Sequence, residues 1–163
     1  MNNNYLIDSN IFITAHRLLY PFDIAPGFWG QLIEKASEKM IIIEKVNNEI
    51  VRGGDQLTEW CIENKDKFNV LTIPETPVIE AYSKIISSIN DSEHYKLSAK
   101  EEFASVADSW LCAYGLAYDY TIVTNEKYSA NSKKKIFIPN VCDEFNINYI
   151  DLLQFMRETE FRL

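Results

Sequence analysis

Short, uniformly apolar runs alternate along this chain with longer stretches of helical spacing. Tyr5-Leu6-Ile7 and Met40 to Ile43 are too short and too apolar for surface helices and predict strands buried on both faces. Phe68 to Ile73, ended by Pro74, and Tyr120 to Thr124 predict two more strands, with weaker ones at Lys135 to Ile138 and Asn148 to Ile150. Between them the pattern predicts helices from Ile11 to Leu18, from Phe28 to Lys39 through Phe28, Leu32 and Ala36, and from Lys45 to Arg52, stopped by Gly53-Gly54. Further helices are predicted from Gln56 to Asn64 behind an Asp55 cap, from Pro77 to Ile89, from Ser98 to Tyr118 with a break near Ala107-Asp108, and from Leu152 to Arg157. Alternation of this kind implies a parallel sheet with right-handed crossovers. No repeat, linker or low-complexity segment interrupts it, so residues 1–163 are expected to form one domain.

Four acids stand at the edges of these apolar segments: Asp8, Glu49, Asp108 and Glu126. Open parallel sheets gather ligands at the carboxyl ends of their strands, and an acid cluster there would hold a divalent metal. Each acid also has a plainer reading. Asp8 can N-cap the helix that follows it, and Asp108 can cap the later half of the long helical region. Glu49 lies beside the stripe set by Val46 and Ile50 and can pair with Lys45 four residues earlier. Glu126 can sit in a solvated turn. Asn10, Thr124 and Asn125 repeat a motif: both Asp8-Ser9-Asn10 and Thr124-Asn125-Glu126 put hydroxyl, amide and carboxylate groups at a strand end.

Composition narrows the class. A chain of 163 residues is long enough to bury about 70% of its unfolded surface without a staple. Cys61, Cys112 and Cys142 are odd in number and widely spaced, which predicts reduced, buried thiols and not a zinc site. The first residues carry no basic run, and no apolar stretch approaches the roughly 18 residues of a membrane span, so a cytoplasmic protein without a membrane role is expected. A net charge of −8 argues against a general nucleic-acid coat protein, but not against an enzyme whose acids are offset by a bound ion. The chain has neither GxxxxGK[ST] nor GxGxxG, and His16 and His94 lie in no nucleophile–base context and are expected at the surface or satisfied.

Taken in order, Tyr5-Leu6-Ile7-Asp8-Ser9-Asn10, Glu49, Ala107-Asp108-Ser109-Trp110-Leu111-Cys112-Ala113-Tyr114 and Val123-Thr124-Asn125-Glu126 resemble the PIN-domain nucleases, which include the toxins of VapBC-type toxin–antitoxin pairs. Tyr20-Pro21-Phe22-Asp23, Pro26-Gly27-Phe28-Trp29 and Ile138-Pro139-Asn140-Val141-Cys142 are similar to a PIN-like bacterial branch without an assigned function. The resemblance implies a three-layer α/β/α sandwich on a central parallel sheet of four to five short strands. It implies Mg²⁺ or Mn²⁺ on Asp8, Glu49, Asp108 and a fourth acid, and cleavage of single-stranded RNA. As partners it implies that RNA, a cognate antitoxin and a second copy of the chain. The fourth position, often Asp in the family, is Glu126 here, one methylene longer.

On this reading Asp8 and Asp108 are the central ligands, Glu49 a ligand or water-orienting base and Glu126 an outer ligand. Asn10 and Thr124 orient water or hold a carboxylate, and the products carry a 5′-phosphate and a free 3′-hydroxyl. Lys133-Lys134-Lys135 can grip RNA phosphate or face water as a solvated loop, with Lys45, Arg52 and Lys127 as the next cations. Two rivals remain: a PIN-like binding module that docks a protein or RNA without turnover, and a Mg²⁺-dependent phosphatase of small substrates.

Overall fold

The computed structural model describes residues 4–163 and contains a five-stranded, wholly parallel sheet in the order β3-β2-β1-β4-β5. The strands are β1 (Tyr5–Ile7), β2 (Met40–Ile43), β3 (Asn69–Leu71), β4 (Thr121–Val123) and β5 (Tyr149–Ile150). Every residue of β1 and β2 is buried, as expected for central strands covered on both faces. Leu6 registers with Ile41 on one side and Ile122 on the other, so β1 is the hub of the sheet.

Nine helices surround the sheet among the described residues: α1 (Ser9–Thr14), α2 (Pro26–Gln31), α3 (Glu44–Val51), α4 (Gln56–Glu63), α5 (Thr76–Asp91), α6 (Leu97–Ser105), α7 (Ala107–Tyr118), α8 (Ile138–Phe145) and α9 (Leu152–Glu158). Wider turns extend α1 through Ala15–Leu19 and α2 through Leu32–Ala36. Right-handed crossovers from β1 through β2 to β3 put α1 to α4 on one face, and the return to β4 and β5 puts α5 to α8 on the other. Contacts agree: α5, α6 and α8 pack on α7, whereas α3 packs on α1 and α4. The chain end closes the first layer, with Phe155 edge-on to Tyr5 and Phe161 beside Phe28. The result is the three-layer α/β/α sandwich with a central parallel sheet.

Two sequence expectations need correction. Lys135 to Ile138 is not a strand: Lys135 to Phe137 are irregular, and Ile138 opens α8. Ile136 and Ile138 alternate as in a strand because both are buried anchors, but β5 already occupies the free side of β4, and Pro139 fits a first helical turn. The break expected near Ala107-Asp108 is present: the region from Ser98 to Tyr118 is two helices, with Val106 extended between them. His16 is half-buried and not fully satisfied: its Nε2 lies 3.8 Å from Asp55, while its Nδ1 is buried without a partner among the described residues. The three cysteines are free and buried, as expected.

Candidate functional site

β1 stops at Ile7 and delivers Asp8 to the sheet's carboxyl edge, with its backbone N–H bonded to Val123 at 3.0 Å. This edge, between β1 and β4, is where the strand order reverses, the place at which open α/β sheets form their ligand crevice. Asp8 is only 2% exposed, and its Oδ2 accepts a 2.9 Å hydrogen bond from the Thr124 hydroxyl at the end of β4. That hydroxyl oxygen in turn accepts the backbone N–H of Glu126 at 3.2 Å. Glu126 folds back from the loop so that its Oε1 accepts the N–H of Ile138 at 3.2 Å, the first residue of α8.

Glu49 reaches the same edge from α3. Its Oε2 accepts from the Ser9 hydroxyl at 2.6 Å and its Oε1 from the backbone N–H of Ala107 at 3.3 Å, which ties α3 to the starts of α1 and α7. Asp108 stands in the first turn of α7, one residue past that anchor. With Asn10, Ile13, Glu49 and Lys135 it lines a cleft of about 220 Å³. Glu126 and Thr124 open instead on a neighbouring cleft of about 270 Å³ beside Lys127, Tyr128 and Tyr149.

Burial raises three of the acids, and neighbouring negative charge adds to the rise of Asp8 and Asp108. Burial pushes the Asp8 carboxyl up to about 6; the Thr124 hydroxyl opposes the shift, Glu126 adds to it, the nearby Asn10 backbone N–H opposes it and Glu49 adds to it. Asp108 rises to about 8, first from burial and then from Asp8, Glu126 and Glu49, against a smaller pull from Lys135. Glu126 is raised by burial, opposed by the Ile138 N–H and by Lys135. The edge is thus short of positive charge. Even so, among the described residues no three His, Cys, Asp or Glu side chains stand close enough to hold a metal ion directly.

Most of the plainer readings do not describe the geometry. Asp8 occupies the N-cap position of α1 without a capping hydrogen bond, and the cap of α7 is Val106, not Asp108. Lys45 lies over the Trp110 ring at 5.8 Å, while Glu49 is engaged by Ser9 and Ala107. Glu126 is half-buried in place of solvated. Asn125 turns to α9, its side-chain oxygen accepting the Leu152 N–H at 3.1 Å. The lysine run divides: Lys135 lines the cleft, whereas Lys133 and Lys134 are exposed beyond it. Ser9 escaped the sequence reading. Its signal was present, a hydroxyl between Asp8 and Asn10, but only the fold shows that it meets Glu49.

The sandwich is the PIN-like architecture. Among solved structures it is similar to VapBC2 from Rickettsia felis, crystallised bound to a DNA fragment from the promoter, with a TM-score of 0.54 and 13% identity over 90% of this chain and 97% of that one. The family described as a domain of unknown function, DUF4411, matches residues 5–163, and the chain belongs to it. No curated protein matches the sequence. Among the described residues no helix is long and apolar enough to cross a membrane.

Proposed function

We propose that this protein is a divalent-metal-dependent endoribonuclease that hydrolyses single-stranded RNA, acting as the toxin of a toxin–antitoxin pair. The observation that carries the reading is the convergence of Asp8, Glu49 and Asp108, with Glu126 on the adjoining cleft, on the carboxyl edge at the switch point of a PIN-like sheet, where burial first and neighbouring acids second raise Asp8 to about 6 and Asp108 to about 8. An all-oxygen donor set suits Mg²⁺ or Mn²⁺. Mg²⁺ keeps several waters and takes one or two carboxylates plus substrate phosphate, so it does not require three direct side-chain ligands. Asp8 and Asp108 would hold the ion directly, with Glu49 and Glu126 reaching it through water. Bound there, it would activate water and relieve charge on the scissile phosphate and the leaving oxygen.

The chain's own groups do the rest. The Thr124 hydroxyl fixes one oxygen of Asp8 and leaves the other for the site. Ser9 and the Ala107 N–H hold Glu49 where its carboxylate can orient the attacking water. Lys135 lowers the negative potential at Asp108 and can meet a phosphate entering the cleft. Water attack with loss of the 3′ oxygen leaves a 5′-phosphate and a free 3′-hydroxyl. The protein partner is inferred by analogy with VapBC2, and a second copy of the chain is a further expected partner.

A labelled single-stranded RNA incubated with Mg²⁺ or Mn²⁺ should be cut by wild type, spared in chelator and spared by Asp108→Asn, which removes a charge and little volume. Equal cutting by wild type and Asp108→Asn would remove the catalytic assignment. The lack of a three-ligand cluster favours a second reading, a binding module without turnover. It predicts RNA or protein binding by wild type with no product in either metal.

A further inference from the structure

A second cleft opens where α3 and α7 meet the ends of β2 and β3. It encloses about 240 Å³, and its lining includes Ile43, Glu44, Lys45, Leu71, Trp110 and Tyr114. One face of the Trp110 indole is covered by Tyr82, stacked at 4.0 Å and 14°. Lys45 Nζ stands over the ring at 5.8 Å. Trp110 and Lys45 line the cleft and Tyr82 does not. A cleft lined by apolar walls, an indole and a cation suits a heteroaromatic ring. Sites for drug-sized ligands run about 300–1,000 Å³, so this one has room for a single ring system.

Its position says which ring. Lys45 and Glu49 are one turn apart on α3, with about 5–6 Å between their Cβ atoms. Asp108 and Trp110 are separated by one residue in the first turn of α7, about 3 Å apart along the axis, on different sides of the helix. Both helices therefore contribute one residue to the acid site and another to the second cleft. A phosphate at the acids and a base in that cleft would be held by the same two helices, as neighbouring parts of one stretch of RNA. Glu44, the first residue of α3, puts a carboxylate at the second cleft that accepts from N–H groups on a base edge.

We propose that this cleft is a nucleobase subsite, holding the base next to the cleaved phosphodiester against Trp110 with Lys45 at its side, and with Glu44 favouring guanine. Guanine alone among the RNA bases offers adjacent imino and amino N–H groups to one carboxylate. The inference rests on the nuclease reading above and adds to it the choice of base. Adenine and cytosine present an amino group without that neighbouring imino donor, and uracil presents a single imino donor.

Calorimetric titration with guanosine 5′-monophosphate, uridine 5′-monophosphate and ribose 5-phosphate in Mg²⁺ tests this without turnover, since none contains a phosphodiester between nucleotides. Guanosine monophosphate should bind at least tenfold more tightly than ribose 5-phosphate. Trp110→Ala should weaken it about 5- to 150-fold, the range of one base–aromatic stack, and leave ribose 5-phosphate unchanged. Trp110→Phe should fall between, with the fold kept, and Glu44→Gln should narrow the preference for guanosine over uridine monophosphate. Equal affinity for guanosine monophosphate and ribose 5-phosphate, or wild-type guanosine monophosphate binding in both Trp110 variants, overturns the subsite. The RNA cleavage assay run in parallel separates the two ideas. Base binding without RNA cleavage removes the nuclease reading alone, whereas cleavage without base discrimination removes the subsite alone.

Discussion

Asp8 and Asp108 are acids that the fold keeps partly protonated, and this has a sign. Their carboxyls rise from 3.8 to about 6 and about 8, so between pH 4 and 8 the folded chain holds protons that the unfolded chain has released. Stability must then fall as pH rises through that window. For the metal-free protein the thermal midpoint should be higher at pH 5 than at pH 8. Each pH unit over which one such group is protonated only in the folded state removes about 1.4 kcal/mol. Asp108→Asn should flatten the profile between pH 6 and 8, because that upper part belongs to Asp108. A wild-type midpoint that rises from pH 5 to pH 8 would contradict the raised titration of these two buried carboxyls.

At the scale of elements, α7 joins the acid site to the sheet. Its Asp108 faces the cleft, while Gly115 lies where the helix presses on the sheet: an added Cβ would meet Ile147 Cγ2 at 2.8 Å and Ile122 Cδ1 at 3.4 Å. Alanine normally favours a helix over glycine by about 1 kcal/mol. Here the packing conflict outweighs that preference, and Gly115→Ala should destabilise the protein by about 1–3 kcal/mol in urea unfolding. A neutral or stabilising result would mean that Ile147 yields freely. Elsewhere, element identity was legible where local signals agreed. Asp55 caps α4 by accepting the Thr58 N–H at 3.1 Å, as its place before Gln56 suggested. It was illegible from Lys135 to Ile138, where a buried loop and a helix start share the alternation of a strand.

For the whole molecule, the central question is whether four acids from separate elements bind as one site. Metal that binds only the folded state raises stability by about 2.7 kcal/mol at a hundred times its dissociation constant, worth roughly 5–10 °C for a chain of this size. Mn²⁺ should produce such a rise in wild type and a smaller one in Asp8→Asn and Asp108→Asn, which also start from a less repulsive site. If Mn²⁺ shifts all three proteins alike in differential scanning fluorimetry, the acids do not act together.

The sequence by itself determined the α/β class, the central strands and the buried thiols, because apolar runs are local properties. Tertiary structure alone decided which groups meet. Thr124 reaches Asp8 from 116 residues away and Ser9 reaches Glu49 from 40, contacts set by strand order and register that no spacing rule contains. It also separated Lys135, which lines the cleft, from Lys133 and Lys134, which do not. Asn125 was drawn away from the acids for a similar reason. The backbone of α9 needs an acceptor for its Leu152 N–H, and β5 pairing beside β4 brings that group to the Asn125 side chain.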